Sequence, residues 1–241
     1  MAPLLVLFDI DGTLISAAGA GRRALEQAFR RVFGVDGTVS LAGGVRFEGR
    51  TDPAIIADMA VAIGVDLEAL ERRGDEFQRH YLAALGEEMA RPDPKRRVLP
   101  GIVPLLDALR TRPGVFLGLI TGNIEAGARA KLEPFGLNAY FPDGGFSSDH
   151  PDRAEIARIA REKLSRRAGI PFHPDRVVVV GDTDQDVACA RANGYRAVVV
   201  DSGFVPRHRL EDARPDALFT DLTDLAGVMR ALGVDPSDQL S

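Results

Sequence analysis

Cysteine is nearly absent from this chain of 241 residues, and tryptophan is absent altogether. With Cys189 as the single thiol, neither a disulfide framework nor a cysteine-based metal site is available. Cys189 falls inside a stretch of helical character, where a buried apolar role suits it better than reactivity. Hydrophobic runs long enough for a membrane are missing as well. The N-terminal apolar run is too short for a span or a secretory signal, and no basic region precedes it. A soluble cytoplasmic protein with no membrane partner is therefore expected. Nor does charge of one sign accumulate: 30 Lys and Arg against 35 Asp and Glu leave a net charge of −5. No basic block points to nucleic acid, and no acidic tail points to a disordered arm. Lysine occurs only as Lys95, Lys131 and Lys163. Internal repeats and low-complexity segments are also lacking.

What is present is enough for a core. Apolar residues make up 45% of the chain, and its length suits one large α/β domain or a core domain carrying an insertion. Residues 4–14, Leu-Leu-Val-Leu-Phe-Asp-Ile-Asp-Gly-Thr-Leu, organise the rest. Five apolar residues without polar alternation read as a strand buried on both faces, as in a parallel sheet. The run stops at Asp9 and Asp11, followed by Gly12, which permits a tight turn. Ligands of open α/β sheets gather at the carboxyl ends of strands, so these acids fall where chemistry is done. Two like charges so close repel unless a cation or a shared proton intervenes.

Further along, helical spacing predicts a helix over 21–33, a glycine-rich loop over 35–49 and a helix opened by Asp52 as N-cap with Pro53 behind it. A longer helix follows over 66–89, weakened at Gly74 and ended by Pro92 and Pro94. This block holds no strand candidate, so it reads as an inserted α-helical cap over 16–98, with hinges near 15–21 and 90–99. The core would then be 1–15 and 99–241. Past Pro100-Gly101 strands and helices alternate. Strands are expected at 115–120, weakly at Tyr140-Phe141, at 177–180, 196–200 and 217–219. Helices are expected between them over 126–135, 154–168 and 184–193, and at the end over 222–232. That alternation predicts an α/β fold with a doubly wound parallel sheet and right-handed crossovers.

Four strand ends carry polar groups: Asp9/Asp11, Thr121, the 149–153 region, and Asp182/Asp186. In a parallel sheet they share one rim. Asp9, Asp11, Asp182 and Asp186 form an oxygen-rich set suited to Mg²⁺. Helix capping is the competing account of the acids at 182–186, and Asp184 is read only as a cap. Thr121-Gly122-Asn123 opens a helix, either as a cap or as a phosphate cradle of hydroxyl and amides. Lys131 and Lys163 lie mid-helix, where a solvated or structural role is expected.

These strings also carry a resemblance. Asp9-Ile10-Asp11-Gly12-Thr13-Leu14 after a buried strand resembles the nucleophile motif of the haloacid dehalogenase superfamily, in its phosphatase branch. Thr121-Gly122-Asn123 is similar to the second motif, and Gly181-Asp182-Thr183-Asp184-Gln185-Asp186 to the metal-binding acidic motif. At the third motif the commoner lysine is missing. The string Phe146-Ser147-Ser148-Asp149-His150-Pro151-Asp152-Arg153 looks instead like a subgroup in which arginine takes that place. Arginine offers a fixed fork for phosphate, and its competing role is an exposed helix-start arginine. His150 is expected at the approach to the helix or the pocket. In the insert, Phe47-Glu48-Gly49-Arg50-Thr51-Asp52 resembles the substrate-facing loop of phosphoglycolate-phosphatase-like members, with Arg50 toward the leaving group.

The resemblance implies a Mg²⁺-dependent phosphomonoester hydrolase acting on a small phosphorylated metabolite, as a monomer or homodimer. It implies Asp9 as nucleophile, Asp11 as acid and base, and phosphate contacts from Thr121, Gly122, Asn123 and Arg153. Asp9, Asp11, Asp182 and Asp186 are the implied metal residues. A sugar phosphomutase of the same fold and a non-enzymatic phosphate-ligand binding protein remain open. Asp11 argues against a dehalogenase, which lacks an acid there. The Asp-x-Asp after the first strand, with a helical insertion behind it, argues against a receiver-type signalling domain.

Overall fold

The computed structural model describes residues 2–35 and 44–235, so part of the loop expected over 35–49 lies outside the described residues. Its centre is β1 (Leu4–Phe8), buried at every position. The unbroken apolar run is explained by what lies on each side. Leu4, Val6 and Phe8 join one hydrophobic cluster, while Leu5 and Leu7 join a second on the opposite face of the sheet. With a side-chain period of two, a strand covered on both faces must be apolar throughout. The same split divides Val178 and Val180 from Val177 and Val179.

The sheet has six strands: β1, β4 (Val115–Ile120), β5 (Gly144–Gly145), β6 (Val177–Gly181), β7 (Arg196–Val200) and β8 (Ala217–Phe219). Their order is β5-β4-β1-β6-β7-β8, and every pairing is parallel. The order reverses around β1, which is where a doubly wound sheet opens a crevice at its carboxyl edge. Helices α5 (Ile102–Arg110), α6 (Glu125–Leu132), α7 (Arg153–Ala168), α8 (Asp184–Ala192), α9 (Arg207–Asp212) and α10 (Leu225–Leu232) complete this α/β layer.

The insert consists of α1 (Ala20–Phe33), α2 (Asp52–Ala62), α3 (Leu67–Arg72) and α4 (Gly74–Ala90). It hangs between β2 (Ile15–Ser16) and β3 (Arg97–Val98), which pair antiparallel, Ile15 with Val98 and Ser16 with Arg97. Helices α1 and α4 pack through Phe29 and Phe77, with ring centroids 4.6 Å apart. Arg23 and Gln27 of α1 also donate to the Glu88 carboxylate, at 2.6 and 3.0 Å.

Several local expectations are corrected. The helix expected over 66–89 is two helices broken at Arg73, one residue before the suspect glycine. Asp52 is not the N-cap of α2: Thr51 is, and Asp52 occupies the first turn. Asp184 likewise stands inside the first turn of α8, bonded to Arg209 at 2.6 Å, while Thr183 caps. Tyr140-Phe141 is no strand, since 137–140 forms a short 3-10 helix. The edge strand is instead the glycine pair of β5, which pairs with Leu119 and Ile120 so closely that a Cβ on Gly144 would lie 2.6 Å from the Leu119 carbonyl oxygen. The final helix starts only at Leu225, with Asp224 accepting from the Gly227 amide at 3.0 Å. Helix α9 and the strand pair β2/β3 carried no signal strong enough to predict them.

Candidate active site

The carboxyl ends of β1, β4 and β6 deliver the acids and hydroxyls that the sequence singles out. After Phe8 the chain stays in register long enough for the Asp9 amide to bond the Val180 carbonyl at 2.9 Å. It then turns at Gly12, whose φ of 83° suits glycine and whose missing side chain leaves room for Asp182. Asp9 is thereby buried. Burial pushes its carboxyl up to about 7; Arg153 pulls it down, and Asp186 and Asp11 add to the rise.

Arg153 opens α7, whose N-cap is Asp152, accepting from the Ala154 and Glu155 amides at 2.7 and 3.3 Å. Far from an exposed helix-start residue, its side chain is only 9% exposed, with Nη2 3.3 Å from Asp9 Oδ1 and in contact with Asp186 Oδ1. Burial works against its charge, but Asp186 and Asp9 hold its pKa well above the ordinary arginine value. Lys163, by contrast, bonds both Asp149 oxygens at 2.7 Å and stays structural, as expected. His150 accepts the Asp152 amide at 3.0 Å and so shapes the approach to α7.

Asp182 follows β6. Its Oδ2 accepts from the Ser202 hydroxyl at 2.6 Å, and its Oδ1 is buried with no partner among the described residues. Burial raises its pKa well above the carboxylate range, and Asp186 and Asp9 raise it further. Asp186 serves two ends at once. Its Oδ2 accepts the Thr183 amide at 3.0 Å and the Thr183 hydroxyl at 2.7 Å, forming a capping box that starts α8. Its Oδ1 faces Arg153. One oxygen each from Asp9, Asp182 and Asp186 lies within 4.8 Å of the others. These three carboxylates, one of them with an orphaned buried oxygen, could hold a divalent cation, while Asp186 also serves the fold by starting α8.

Asp11 departs from expectation. Its carboxylate does not belong to that acidic group; Oδ2 accepts from Lys131 Nζ at 2.5 Å and from Asn123 Nδ2 at 2.9 Å. Of the two roles expected for Lys131, solvated or structural, the structure shows the structural one. The lysine is buried, and it also donates to Asn123 Oδ1 at 2.6 Å. Burial opposes its charge, but Asp11 and Asp52 together keep its pKa above the lysine norm. A signal for it existed: Gly127, Ala128, Lys131 and Leu132 form the buried stripe of α6, so this lysine stands on the apolar face.

Thr121 is buried, and its Oγ1 accepts from Asn123 Nδ2 at 2.8 Å. Neither residue caps α6; that position is Ile124, whose side chain can bond nothing. Its amide is satisfied instead by Asp52 Oδ2 from the insert, at 2.9 Å. The Asp52 amide donates in turn to the Gly122 carbonyl at 2.6 Å, and a Cβ on Gly122 would sit 2.1 Å from the Arg50 carbonyl oxygen. The insert is thus seated directly on the 121–124 loop. Burial pushes the Asp52 carboxyl up to about 6, against the pull of Lys131 and the Ile124 amide.

Between insert and sheet lies a cavity of about 840 Å³, lined by Asp9, Asp11, Arg50, Thr121, Gly122, Asn123, Lys131, Arg153 and Asp182 among others. Asp186 stands behind this lining. Arg50 pairs with Asp58 of α2 while bordering the cavity. Apart from Asp186, every site residue that the sequence singled out borders one space. Lys131 and Asp52 are the additions to this lining, and Ser202 holds Asp182 from outside it.

Comparison with known proteins now bears on this geometry. The profile of haloacid dehalogenase-like hydrolases matches residues 4–194. The chain belongs to that family. As a haloacid dehalogenase-like hydrolase it is 31% identical over 237 residues to the phosphoglycolate phosphatase of Rhodospirillum rubrum, covering 92% of this chain and 89% of that protein. It is 29% identical over 237 residues to the tyrosine-protein kinase PtkA of Mycobacterium tuberculosis, covering 97% of this chain and 74% of that protein. Among solved structures, a predicted phosphatase from Clostridium acetobutylicum shares the fold with a TM-score of 0.72 at 21% identity, over 95% of this chain and 99% of that one. No helix among the described residues of this hydrolase is long and apolar enough to cross a membrane.

Proposed function

We propose that this hydrolase is a Mg²⁺-dependent phosphomonoesterase acting on a small phosphorylated metabolite of the phosphoglycolate kind. In this reading the helical insert, 16–98, is a cap over a core of 1–15 and 99–241. The observation that carries it is the pairing of Asp9 with Arg153 beside the orphaned Asp182 oxygen, at the end of the central strand. An acid with a cation on one side and an acidic group on the other is built to meet a phosphate.

An Asp9 oxygen attacks phosphorus, and the bond to the leaving oxygen breaks as Asp11 gives that oxygen a proton. Water, deprotonated by Asp11, then attacks the aspartyl-phosphate and returns Asp9 as carboxylate with inorganic phosphate released. Arg153, Thr121 and the 122–123 loop offset and orient the transferring phosphoryl group. Asp9, Asp182 and Asp186 would hold Mg²⁺, which when bound supplies positive charge that keeps Asp9 ionised and neutralises phosphate. Arg50 and the seated insert exclude bulk water and select the leaving group.

The test is phosphate release from a panel of small phosphomonoesters, phosphoglycolate included, with Mg²⁺ and with chelator. Metal-dependent turnover is expected, and Asp9→Asn should reduce it to background. A panel that yields no phosphate above the Asp9→Asn background sinks the reading. Transfer of the phosphoryl group within a sugar, without net phosphate, would turn it into a mutase.

A further inference from the structure

Lys131 has no part in the chemistry just set out, yet it is the buried cation closest to the proton-moving acid. Resting on the phosphatase reading, we infer that Lys131 is the positioning residue for Asp11, holding one carboxylate oxygen so that the other faces the reacting group.

The geometry is specific. Asp11 lies on the loop after β1, and its side chain is 42% exposed, so by itself it would sample several rotamers. Two donors remove that freedom. Lys131 Nζ, from the last turn of α6, and Asn123 Nδ2, from the loop before α6, both meet Oδ2, at 2.5 and 2.9 Å. They lie 120 and 112 residues away in sequence, so the contact exists only in the folded core. Lys131 also orients its co-donor through Asn123 Oδ1, and Asn123 in turn meets the Thr121 hydroxyl. An oxygen that accepts from an ammonium and an amide is the disfavoured place for a proton. Lys131 and Asn123 therefore hold Oδ2 in place and leave Oδ1 to face the leaving oxygen. In the first step the Oδ1 proton goes to the leaving oxygen as its bond to phosphorus breaks. In the second, Oδ1 takes a proton from the attacking water.

A structural role alone explains the arrangement less well. Burying an ammonium to hold a partly exposed loop acid is costly, and an apolar side chain on the inner stripe of α6 would pack at lower cost. The insert also closes over this lysine. A Cβ on Gly21 of α1 would lie 3.3 Å from Nζ, and Asp52 sits on the adjoining Ile124 amide. The seated cap thus walls in the pair that holds Asp11.

The experiment compares an alkyl phosphomonoester, whose leaving oxygen needs a proton, with p-nitrophenyl phosphate, whose leaving group departs without one. Release of the alcohol or phenol is followed in a single turnover, which isolates the first step. Lys131→Met is expected to slow alkyl release by about 100-fold, the scale of lost general-acid catalysis, and aryl release by less than about 3-fold. KM should move little. Lys131→Gln, which keeps a neutral donor, should fall between, and it serves if the Met variant does not fold. Equal losses on both esters, or no loss on the alkyl ester, overturn the inference. A crystal structure of the variant provides a readout without turnover. Asp11 leaving its place against Asn123 supports the positioning role; Asp11 unmoved refutes it. Failure of the phosphatase reading is distinct, since it shows as an inactive unmodified protein.

Discussion

Asp182→Asn should raise the melting temperature of the metal-free protein while abolishing its response to Mg²⁺. The expectation follows from crowding at the end of β6. Asp9, Asp182 and Asp186 bring an oxygen each within 4.8 Å of the others, against the single guanidinium of Arg153. At that separation two unit charges repel by about 3.5 kcal/mol for an effective dielectric near 20. Partial protonation and Arg153 absorb part of it, which leaves a gain on the order of 1 kcal/mol when one charge is removed. For a protein of this size that is a rise of about 2–4 °C. Asparagine keeps the shape and can still accept from Ser202, so packing is preserved. Mg²⁺ acts in the opposite sense on the unmodified protein. At 100 times its dissociation constant it should stabilise by about 2.7 kcal/mol, or roughly 5–11 °C. Differential scanning calorimetry with chelator and with Mg²⁺, on both proteins, reads the four values. If Asp182→Asn melts lower than the parent in chelator, or if Mg²⁺ shifts both proteins equally, the acidic group is not the cation site.

Arg153→Met leaves Asp9 and Asp186 without their cation, and denaturant titration should show a loss of about 3–5 kcal/mol in chelator. A loss within error of zero would mean that the ion pairs carry no weight. Asp52→Asn tests the buried acid between insert and core. Its folded pKa of about 6 lies above the ordinary 3.8, so its contribution to stability is full below pH 4 and is lost as pH rises through 6. That is about 3 kcal/mol; from pH 4 to 7 the parent should lose that much more stability than the variant, and parallel profiles would contradict the burial. Gly122→Ala puts a methyl 2.1 Å from the Arg50 carbonyl oxygen, so the insert cannot seat as it does. A fall in kcat/KM of at least about 100-fold is expected, the cost of a misplaced catalytic group. Unchanged turnover would show that seating is not needed.

Local pattern was enough for the catalytic scaffold. Leu4–Phe8, Val115–Ile120, Val177–Gly181 and Arg196–Val200 announce themselves because strands buried on both faces must be continuously apolar, whatever packs on them. Asp9, Asp11, Thr121 and Asp182 stand at the ends of such runs, and the rule that sites gather at the carboxyl edge of a parallel sheet converts position in sequence into position in space. Arg153 was legible through the resemblance of its string to the third motif, though its contact with Asp9 was not. Gly144–Gly145 escaped notice because a two-residue glycine strand has no apolar signature; it is a strand only because Leu119 and Ile120 lie beside it. The partners of Lys131, expected to be solvated or structural, and of Asp52, expected to be an N-cap, escaped notice for a related reason. A lysine in the last turn of a helix and an acid near the start of another have common local uses, in solvent and at caps. What sets them apart are partners far off in sequence: Asp11 for the one, the Ile124 amide for the other. The sheet and the address of its acids are therefore written in residue periodicity. Which charge meets which acid is settled only when distant segments are folded together, because burial and Coulomb interaction depend on distance in space.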